Sequence, residues 1–257
     1  MTSDTARPLD PQVASAWLRR WDAQQERYVA DRERRFDVIC DTLCHALAGC
    51  DRPLVLDLGC GPGSLTARVC RRLPSARAMG VDNDPLLLAL ARSVYGHTAQ
   101  FAEADLRRPG WSALTGLNSA VDAAISSTAL HYLPAETLAD LYLELADVIR
   151  PGGLFINADN LYDEQPMIAG IAAALRRSRV ASGEDWAAWW QAATRDRELA
   201  GLVAERERSG AGDGDHRVSA AVHEQLLRRA GFDQVGTVWQ AGDDVVLVAV
   251  RRQTVKH

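Results

Sequence analysis

A glycine-rich segment early in the chain is the first place where residue type and spacing suit ligand chemistry. Residues 55–64 read VLDLGCGPGS, with Gly59, Gly61 and Gly63 closing an apolar run. Glycine at such a turn lets the chain reverse tightly and lets a ligand approach bare backbone, while the helix that follows presents free N–H groups. Because a loop of this kind also serves as a plain strand-to-helix connection, alone it marks only a candidate nucleotide site.

Acidic residues close the next two apolar runs, at positions that suit an adenosine. RAMGVD ends in Asp82, about twenty residues after the loop, where a carboxylate can accept hydrogen bonds from both ribose hydroxyls. AQFAEAD ends in Asp105, which suits an adenine amino group, and Leu106 after it offers apolar surface to the ring. Ser64 stands where the dinucleotide fingerprint has its last glycine. The pattern therefore argues against a nicotinamide or flavin dinucleotide.

Candidate groups for proton transfer follow the fourth and fifth predicted strands. In SSTALHYLP, His131 lies between a strand end and a helix start, where a substrate would enter. Its imidazole can take a proton from a hydroxyl or an amine near neutral pH, although a histidine packed under a lid fits the sequence equally well. Tyr132 beside it serves as either cavity wall or chemistry. Asp159 and Tyr162 occupy comparable positions after the fifth strand.

Two aromatic stripes at helical spacing are candidates for a substrate cover. The first consists of Trp17, Trp21 and Tyr28, and the second consists of Trp186, Trp189 and Trp190. Such stripes also form ordinary core, and the spacing does not separate the two roles. We take Trp21 and Tyr28 as the candidate substrate contacts from the N-terminal stripe.

The elements that must position these residues alternate between strand and helix. Strands are predicted at 53–59, 77–82, 99–105, 120–127 and 152–159, and helices at 64–73, 84–96 and 134–149. This alternation predicts a doubly wound, mostly parallel α/β sheet with helices on both faces. Because ligands bind at the carboxyl ends of such strands, the loop, the aspartates and the histidine should lie together.

The flanking segments differ from this alternation. Residues 11–48 are predicted as helix, and residues 160–215 are mostly helical in pattern up to a mobile loop at 209–215. Two runs at 232–240 and 245–251, separated by a tight turn, predict an antiparallel hairpin at one edge. We therefore expect an N-terminal helical cap over residues 1–50 and a main domain over residues 51–257, with a helical insertion at about 160–215.

Composition limits the class of protein. The chain has 257 residues and a net charge of −5, so we expect no nucleic-acid partner. No run approaches the roughly 18 apolar residues of a membrane span, and residues 1–10 lack a signal pattern, so we expect a cytoplasmic protein without a membrane partner. The five cysteines lack metal-ligand spacing and are interpreted as packed thiols. We expect a monomer or a homodimer and no metal.

Taken together, VLDLGCGPGS, VDND, EADL and RPGGLF resemble the motifs of the class I S-adenosylmethionine (SAM)-dependent methyltransferases, in that order and at suitable spacing. The resemblance covers about residues 50–160 well and the closing hairpin less specifically. It implies a Rossmann-like, seven-stranded sheet with one reversed strand. It also implies SAM as cofactor and S-adenosylhomocysteine as product.

The resemblance also implies roles for individual residues. The cofactor contacts are Asp57, Gly59, Cys60, Gly61, Asp82, Asn83, Asp105, Leu106 and Ser127. The glycine loop would line the methionine end of SAM, and Asp57 would orient that loop. Asp82 would hold the ribose with Asn83 beside the adenine, and Asp105 and Leu106 would take the adenine edge. Ser127 would face the sulfonium.

The sequence thus predicts transfer of a methyl group to an O, N or C atom of a small molecule, for example a natural product. The segment after the fourth strand lacks the [Asp/Asn]-Pro-Pro-aromatic tetrad of DNA amino-methylating enzymes. The candidate catalytic residue is His131, and the candidate acceptor contacts are Trp21, Tyr28, Tyr132, Asp159 and Tyr162. Two alternatives stay open: a non-catalytic or regulatory SAM-binding protein, and a Rossmann oxidoreductase that uses NAD(P).

Overall fold

A seven-stranded sheet forms the centre of the computed structural model, which describes residues 9–117, 119–180, 182–210, 214 and 216–253. The strands are β1 Leu54–Leu58, β2 Arg77–Asp82, β3 Gln100–Glu103, β4 Val121–Ser127, β5 Ile149–Asn160, β6 Phe232–Ala241 and β7 Asp244–Arg251. Their order is β3-β2-β1-β4-β5-β7-β6. Strands β1 to β5 pair in parallel, and β7 pairs antiparallel with both β5 and β6. The predicted doubly wound sheet with a closing hairpin is confirmed.

Ten helices surround the sheet in the described part of the chain. They are α1 Pro11–Gln25, α2 Arg32–Ala46, α3 Ser64–Arg72, α4 Pro85–Tyr95, α5 Trp111–Leu114, α6 Ala135–Val148, α7 Pro166–Arg177, α8 Trp186–Arg195, α9 Ala200–Ser209 and α10 Ala220–Ala230. A short 3-10 helix, Leu130–Tyr132, precedes α6. None of these helices combines the length and the apolar character that a membrane crossing requires, within the residues described. The short α5 and the helix α10 were not predicted from the sequence.

Strand β1 illustrates how the sheet divides two cores. All five of its residues are buried, as expected of a central parallel strand. Leu54, Leu56 and Leu58 face the core formed with α6 and α10, whereas Val55 faces the core formed with α2 and α3. Since side chains alternate along a strand, Asp57 lies on the same side as Val55, under α3. The sequence of β1 therefore fixes which face carries the first acidic residue of the motif.

The prediction of continuous helix over residues 11–48 is wrong, because the N-terminal segment forms two helices. Helix α1 ends at Gln25, and α2 begins after Asp31, whose φ is +57°. In a continuous helix, Asp22 and Arg32 would lie about 15 Å apart along the axis. The break brings the Arg32 guanidinium to 2.9 Å from Asp22 Oδ1. A contact between the two helices, invisible in local periodicity, therefore favours the turn.

A tryptophan cluster joins α1 to α8. Its members are Trp17, Trp21, Trp186, Trp189 and Trp190. The Trp189 ring lies at its centre, with centroids 5.3, 5.1 and 4.9 Å from those of Trp17, Trp21 and Trp190. These near-perpendicular contacts are the favoured geometry for aromatic pairs. Most of both predicted stripes is therefore core.

The predicted loop at 209–215 lies partly outside the described residues, and the division of the chain at residue 50 stays a prediction.

Replacing Trp189 by alanine should lower the free energy of unfolding by about 3–5 kcal/mol, because a fully buried indole leaves a cavity between α1 and α8. Urea denaturation followed by circular dichroism measures the loss. The matched control is Leu114→Ala, at a side chain that is 67% exposed, which should change stability by less than about 0.5 kcal/mol. Equal effects of the two substitutions would contradict the packing described.

Candidate active site

A cavity of about 650 Å³ opens at the carboxyl ends of the parallel strands. It lies where the strand order reverses between β1 and β4, the usual ligand site of an open α/β sheet. Eleven of the residues predicted from the sequence line it: Trp21, Tyr28, Gly59, Gly61, Asp82, Asn83, Asp105, Leu106, His131, Tyr132 and Tyr162. The topology therefore brings most of the two predicted sets, cofactor and acceptor, into one space.

The glycine loop uses its glycines for two different reasons. Gly59 has φ +66°, and a Cβ there would collide with the Cβ of Ala129. Gly61 has φ +53°, but a Cβ there would meet nothing nearer than Leu87 Cδ1 at 3.9 Å. The close approach at Gly59 is thus to the protein itself, whereas the space beside Gly61 is open to the cavity. Of these two glycines, Gly61 is the one that leaves the space of a side chain open to a ligand.

Asp82 connects the end of β2 to the glycine loop. Its Oδ2 accepts from the Gly61 N–H at 2.7 Å, and its Oδ1 accepts from the Asp84 N–H at 2.9 Å. Burial raises the pKa of Asp82 to about 6, the negative charge of Asp84 adds to the rise, and the backbone hydrogen bonds oppose it. A carboxylate that lines the cavity and keeps lone pairs unused can accept hydroxyl hydrogen bonds from a ribose.

Asp105, after β3, is held by an arginine. Arg107 donates through Nε to Oδ1 at 2.8 Å and through Nη2 to Oδ2 at 3.0 Å. Burial alone would raise the pKa of Asp105, but the hydrogen bonds and charge of Arg107 outweigh it and keep the pKa below its usual value. The carboxylate is therefore ionised and fixed in orientation at the cavity edge.

His131 is oriented by a buried carboxylate. Its Nδ1 lies 3.0 and 3.1 Å from the two oxygens of Asp159, and its backbone N–H donates to Asp159 Oδ2 at 3.2 Å. Asp159 is fully buried, which would raise its pKa, but His131 and the nearby Arg35 guanidinium hold that pKa below its usual value. An ionised carboxylate at Nδ1 favours a proton on that nitrogen, which leaves Nε2 as the nitrogen that can accept a proton.

Four predicted site residues are not among those that line the cavity: Asp57, Cys60, Ser127 and Asp159. Asp57 lies beneath the loop, where Thr66 Oγ1 donates to its Oδ2 at 2.5 Å. Cys60 packs against Gly80 of β2. Ser127 Oγ lies 3.4 Å from the hydroxyl of Thr128, which does line the cavity. Asp159, predicted as an acceptor contact, is enclosed behind His131 in this structure.

Arg35 is a site residue that the sequence did not reveal. It is fully buried on α2, donates to Thr128 Oγ1 at 2.7 Å and to the Ala158 carbonyl at 3.1 Å, and pairs with Asp244 at 2.5 Å. Thr128 has φ +56°, a strained conformation for a β-branched residue. The one signal was Arg35 itself, a charge four residues before the core residue Ile39 on the same helix.

Comparison with known proteins identifies the domain. Residues 55–153 match a protein-family profile described as Methyltransferase domain. These residues form a class I methyltransferase domain. The match includes the glycine loop, Asp82, Asp105 and His131, and it ends within β5.

Several curated relatives of the methyltransferase domain carry one name. The trans-aconitate 2-methyltransferase of Streptomyces coelicolor is 35% identical over 139 residues, which is 52% of this chain and 43% of that protein. The protein of the same name from Azoarcus sp. is 36% identical over 145 residues, 56% of this chain and 53% of that protein. The chain spans about half the length of these relatives.

Solved structures similar to this one share its fold. Magnesium protoporphyrin IX methyltransferase from Synechocystis, with bound S-adenosylhomocysteine, has a TM-score of 0.53 at 19% identity and covers 86% of this chain and 83% of its own. The CurJ carbon methyltransferase has a TM-score of 0.56 at 16% identity and covers 85% of this chain and 54% of its own. Identity this low shows the fold alone, and that fold is the one the sequence resemblance implies.

Asp57 should make the methyltransferase domain less stable as pH rises. Burial raises the pKa of Asp57 to about 7, Thr66 opposes the rise and Asp82 adds to it, whereas the unfolded chain releases this proton near pH 4. The folded state therefore holds the extra proton between these values, so its stabilising contribution is full below about pH 4 and is lost as pH rises through 7. This contribution should fall by roughly 2–3 kcal/mol between about pH 5 and 8.

In Asp57→Asn that pH dependence should disappear, so the variant should gain stability relative to the natural protein as pH rises. Urea midpoints measured across the range test this. Asp140→Asn, at an exposed carboxyl of α6, serves as control and should show a flat difference. A flat difference for Asp57→Asn as well would show that the buried carboxyl titrates normally.

Proposed function

We propose that the protein transfers a methyl group from SAM to a small-molecule acceptor, with His131 as general base and Asp159 as the residue that positions it. The observation that carries the proposal is the shared cavity: Gly61 and Asp82 at one side and His131 at the other line the same 650 Å³. That volume is typical of a small-molecule site. An oriented imidazole in the same cavity as the cofactor motif favours methyl transfer over SAM binding alone.

The residues around the glycine loop fit SAM. The open space beside Gly61 admits an amino-acid tail, because beyond the adjacent residues the nearest atom to the position where a side chain would begin is Leu87 Cδ1, at 3.9 Å. Asp82 offers carboxylate oxygens to the ribose, and Asn83, Asp105 and Leu106 line the part of the cavity proposed for adenine. When bound, SAM supplies an activated methyl group on a sulfonium.

His131 would act on the acceptor through Nε2. When the acceptor takes the methyl group, the S–CH3 bond of the sulfonium would break and S-adenosylhomocysteine would leave. The proton that the acceptor atom loses would pass to Nε2, and the ionised Asp159 at Nδ1 would stabilise the resulting imidazolium. Asp159 thus acts through His131, without touching the acceptor. Trp21, Tyr28, Tyr132 and Tyr162 stay as proposed acceptor contacts, supported by their places in the cavity wall.

The name shared by the relatives suggests a first acceptor to assay. Trans-aconitate is the obvious candidate in a turnover assay with SAM, although the matched part is only about half of this chain. Absence of turnover with any acceptor, despite tight SAM binding, would instead favour the non-catalytic SAM-binding alternative. We further propose a cytoplasmic protein, monomeric or homodimeric, without nucleic-acid or membrane partners. The net charge of −5 supports the absence of a nucleic-acid partner.

Asp82→Ala should weaken SAM binding by about 1–3 kcal/mol, because buried ribose hydroxyls lose a charged acceptor. The natural protein should bind SAM in preference to NAD, with an affinity that falls below about pH 6 as Asp82 takes up its proton. In Asp82→Asn this fall should be absent. Calorimetry at several pH values measures both effects. Preferential binding of NAD, or unchanged affinity in a folded Asp82→Ala variant, would refute the cofactor assignment.

His131→Ala should lower kcat by roughly 10²–10⁴-fold with SAM affinity nearly unchanged, because only proton removal is lost. Asp159→Asn should also lower kcat, since an amide cannot stabilise the imidazolium. Both variants should lose the limb of the kcat–pH profile that reflects imidazole ionisation. Asp140→Asn is the control. If His131→Ala mainly raised the acceptor KM, and His131→Gln restored the loss, His131 would be a wall residue and no base.

A further inference from the structure

Charges are distributed unevenly across the cavity. Among the described residues, the acidic side chains in its wall are Asp82, Asp84 and Asp105, which lie at the end of β2 or follow β2 or β3. The two arginines near them are already paired, Arg107 with Asp105 and Arg206 with Asp84 at 2.6 Å. With three carboxyl groups against two arginines, the side of the cavity proposed for adenosine carries no excess of positive charge.

The opposite side, beside the ends of β5 and β7, carries arginines. Arg176 and Arg177 reach the wall from the C-terminal end of α7, and Arg27 reaches it from the turn after α1. Arg176 is anchored by Asp243, which is almost fully buried, at 3.4 Å. No carboxylate of the described chain lines this side of the cavity.

Arg177 is the arginine best placed to bind a ligand. Arg27 donates to the Gly183 carbonyl at 2.6 Å, and Arg176 is directed by Asp243, but among the described residues no side chain or carbonyl pairs with Arg177. A guanidinium offers a planar fork of N–H donors that matches the two oxygens of a carboxylate or of a phosphate. Its exposed position lets it meet an incoming ligand before the ligand is buried.

Asn160 adds a donor whose orientation is fixed from behind. Its Oδ1 accepts from Arg35 Nη2 at 3.3 Å. Because Arg35 is fully buried and also bonded to Thr128 and Ala158, the amide oxygen of Asn160 is directed away from the acceptor side. The NH₂ group is therefore the half that remains for a ligand, and Asn160 lines the cavity.

We propose that Arg177 and the Asn160 amide, supported by Arg176, form an oxyanion subsite, and that the acceptor is an organic acid whose carboxylate or phosphate group binds there. The proposal rests on the proposed function, which it deepens by naming the substrate class. The oxyanion would anchor the acceptor beside β5, while a separate nucleophilic group of the same molecule faces His131. Anchoring and proton removal then belong to different residues, so they affect different kinetic constants.

Calorimetry with defined probes tests the subsite. Propane-1,2,3-tricarboxylate and glycerol 3-phosphate represent the two oxyanions, and the triamide of the first is a neutral match in shape. With S-adenosylhomocysteine present, at least one anion should bind, and the triamide should bind at least about tenfold more weakly. The stronger anion distinguishes a carboxylate from a phosphate acceptor. Equal binding of the triamide, or binding of neither anion, overturns the proposal.

Two variants locate the binding to these residues. Arg177→Gln should weaken the anion by about 10- to 100-fold, and Asn160→Asp should weaken it similarly by replacing a donor with a negative charge. The control Arg229→Gln, at an exposed arginine of α10, should leave the affinity unchanged. If Arg177→Gln and Arg229→Gln behave alike, the subsite is not where we place it.

The same titrations separate this proposal from the proposed function. S-adenosylhomocysteine affinity should be unchanged in Arg177→Gln, because that residue lies on the other side of the cavity. Binding of S-adenosylhomocysteine without binding of either anion would overturn the oxyanion subsite alone. Anion binding that depends on Arg177, in a protein that fails to bind S-adenosylhomocysteine, would retain the subsite and overturn the methyl-transfer proposal.

Discussion

One buried guanidinium joins the strand ends around the His131 side of the cavity. Arg35 comes from α2, yet it bonds Thr128 after β4 and Ala158 on β5, and it pairs with Asp244 at the start of β7. A charge this deep is tolerated only with such partners, so these three strand ends are fixed relative to one another. The strained φ of Thr128 persists because the surrounding bonds over-determine it. The positions of Asn160, which accepts from Arg35, and of Asp159, which lies near the same guanidinium, therefore depend on Arg35.

Burial shifts the carboxyl groups of this site in opposite directions according to their neighbours. Asp57 and Asp82 have mainly amide and hydroxyl partners, so desolvation dominates and their pKa values rise to about 7 and 6. Asp159 is just as deep, but the positive partners His131 and Arg35 reverse the balance. One residue type thus provides two carboxyl groups beside the glycine loop that take up protons near pH 6 to 7, and an anion behind the imidazole.

The parallel sheet, its order of motifs and the convergence on one cavity were predictable, because each rests on local periodicity or on the rule that ligands meet strand ends. The break between α1 and α2 was not, since it follows from the contact of Asp22 with Arg32. Arg35 and Arg177 were missed for a related reason. A charged residue on a helix resembles a solvated face until tertiary packing shows which arginine is enclosed and which reaches a cavity.

The tryptophan cluster also gives the protein an unusual optical property. Five of the seven tryptophans lie in it, so the intrinsic fluorescence of the whole chain reports chiefly on the contact between α1 and α8. Trp21 and Trp186 of this cluster also line the cavity. Quenching or a spectral shift of this fluorescence on adding a ligand would therefore report binding in the cavity, whereas the circular dichroism of the sheet backbone would not change.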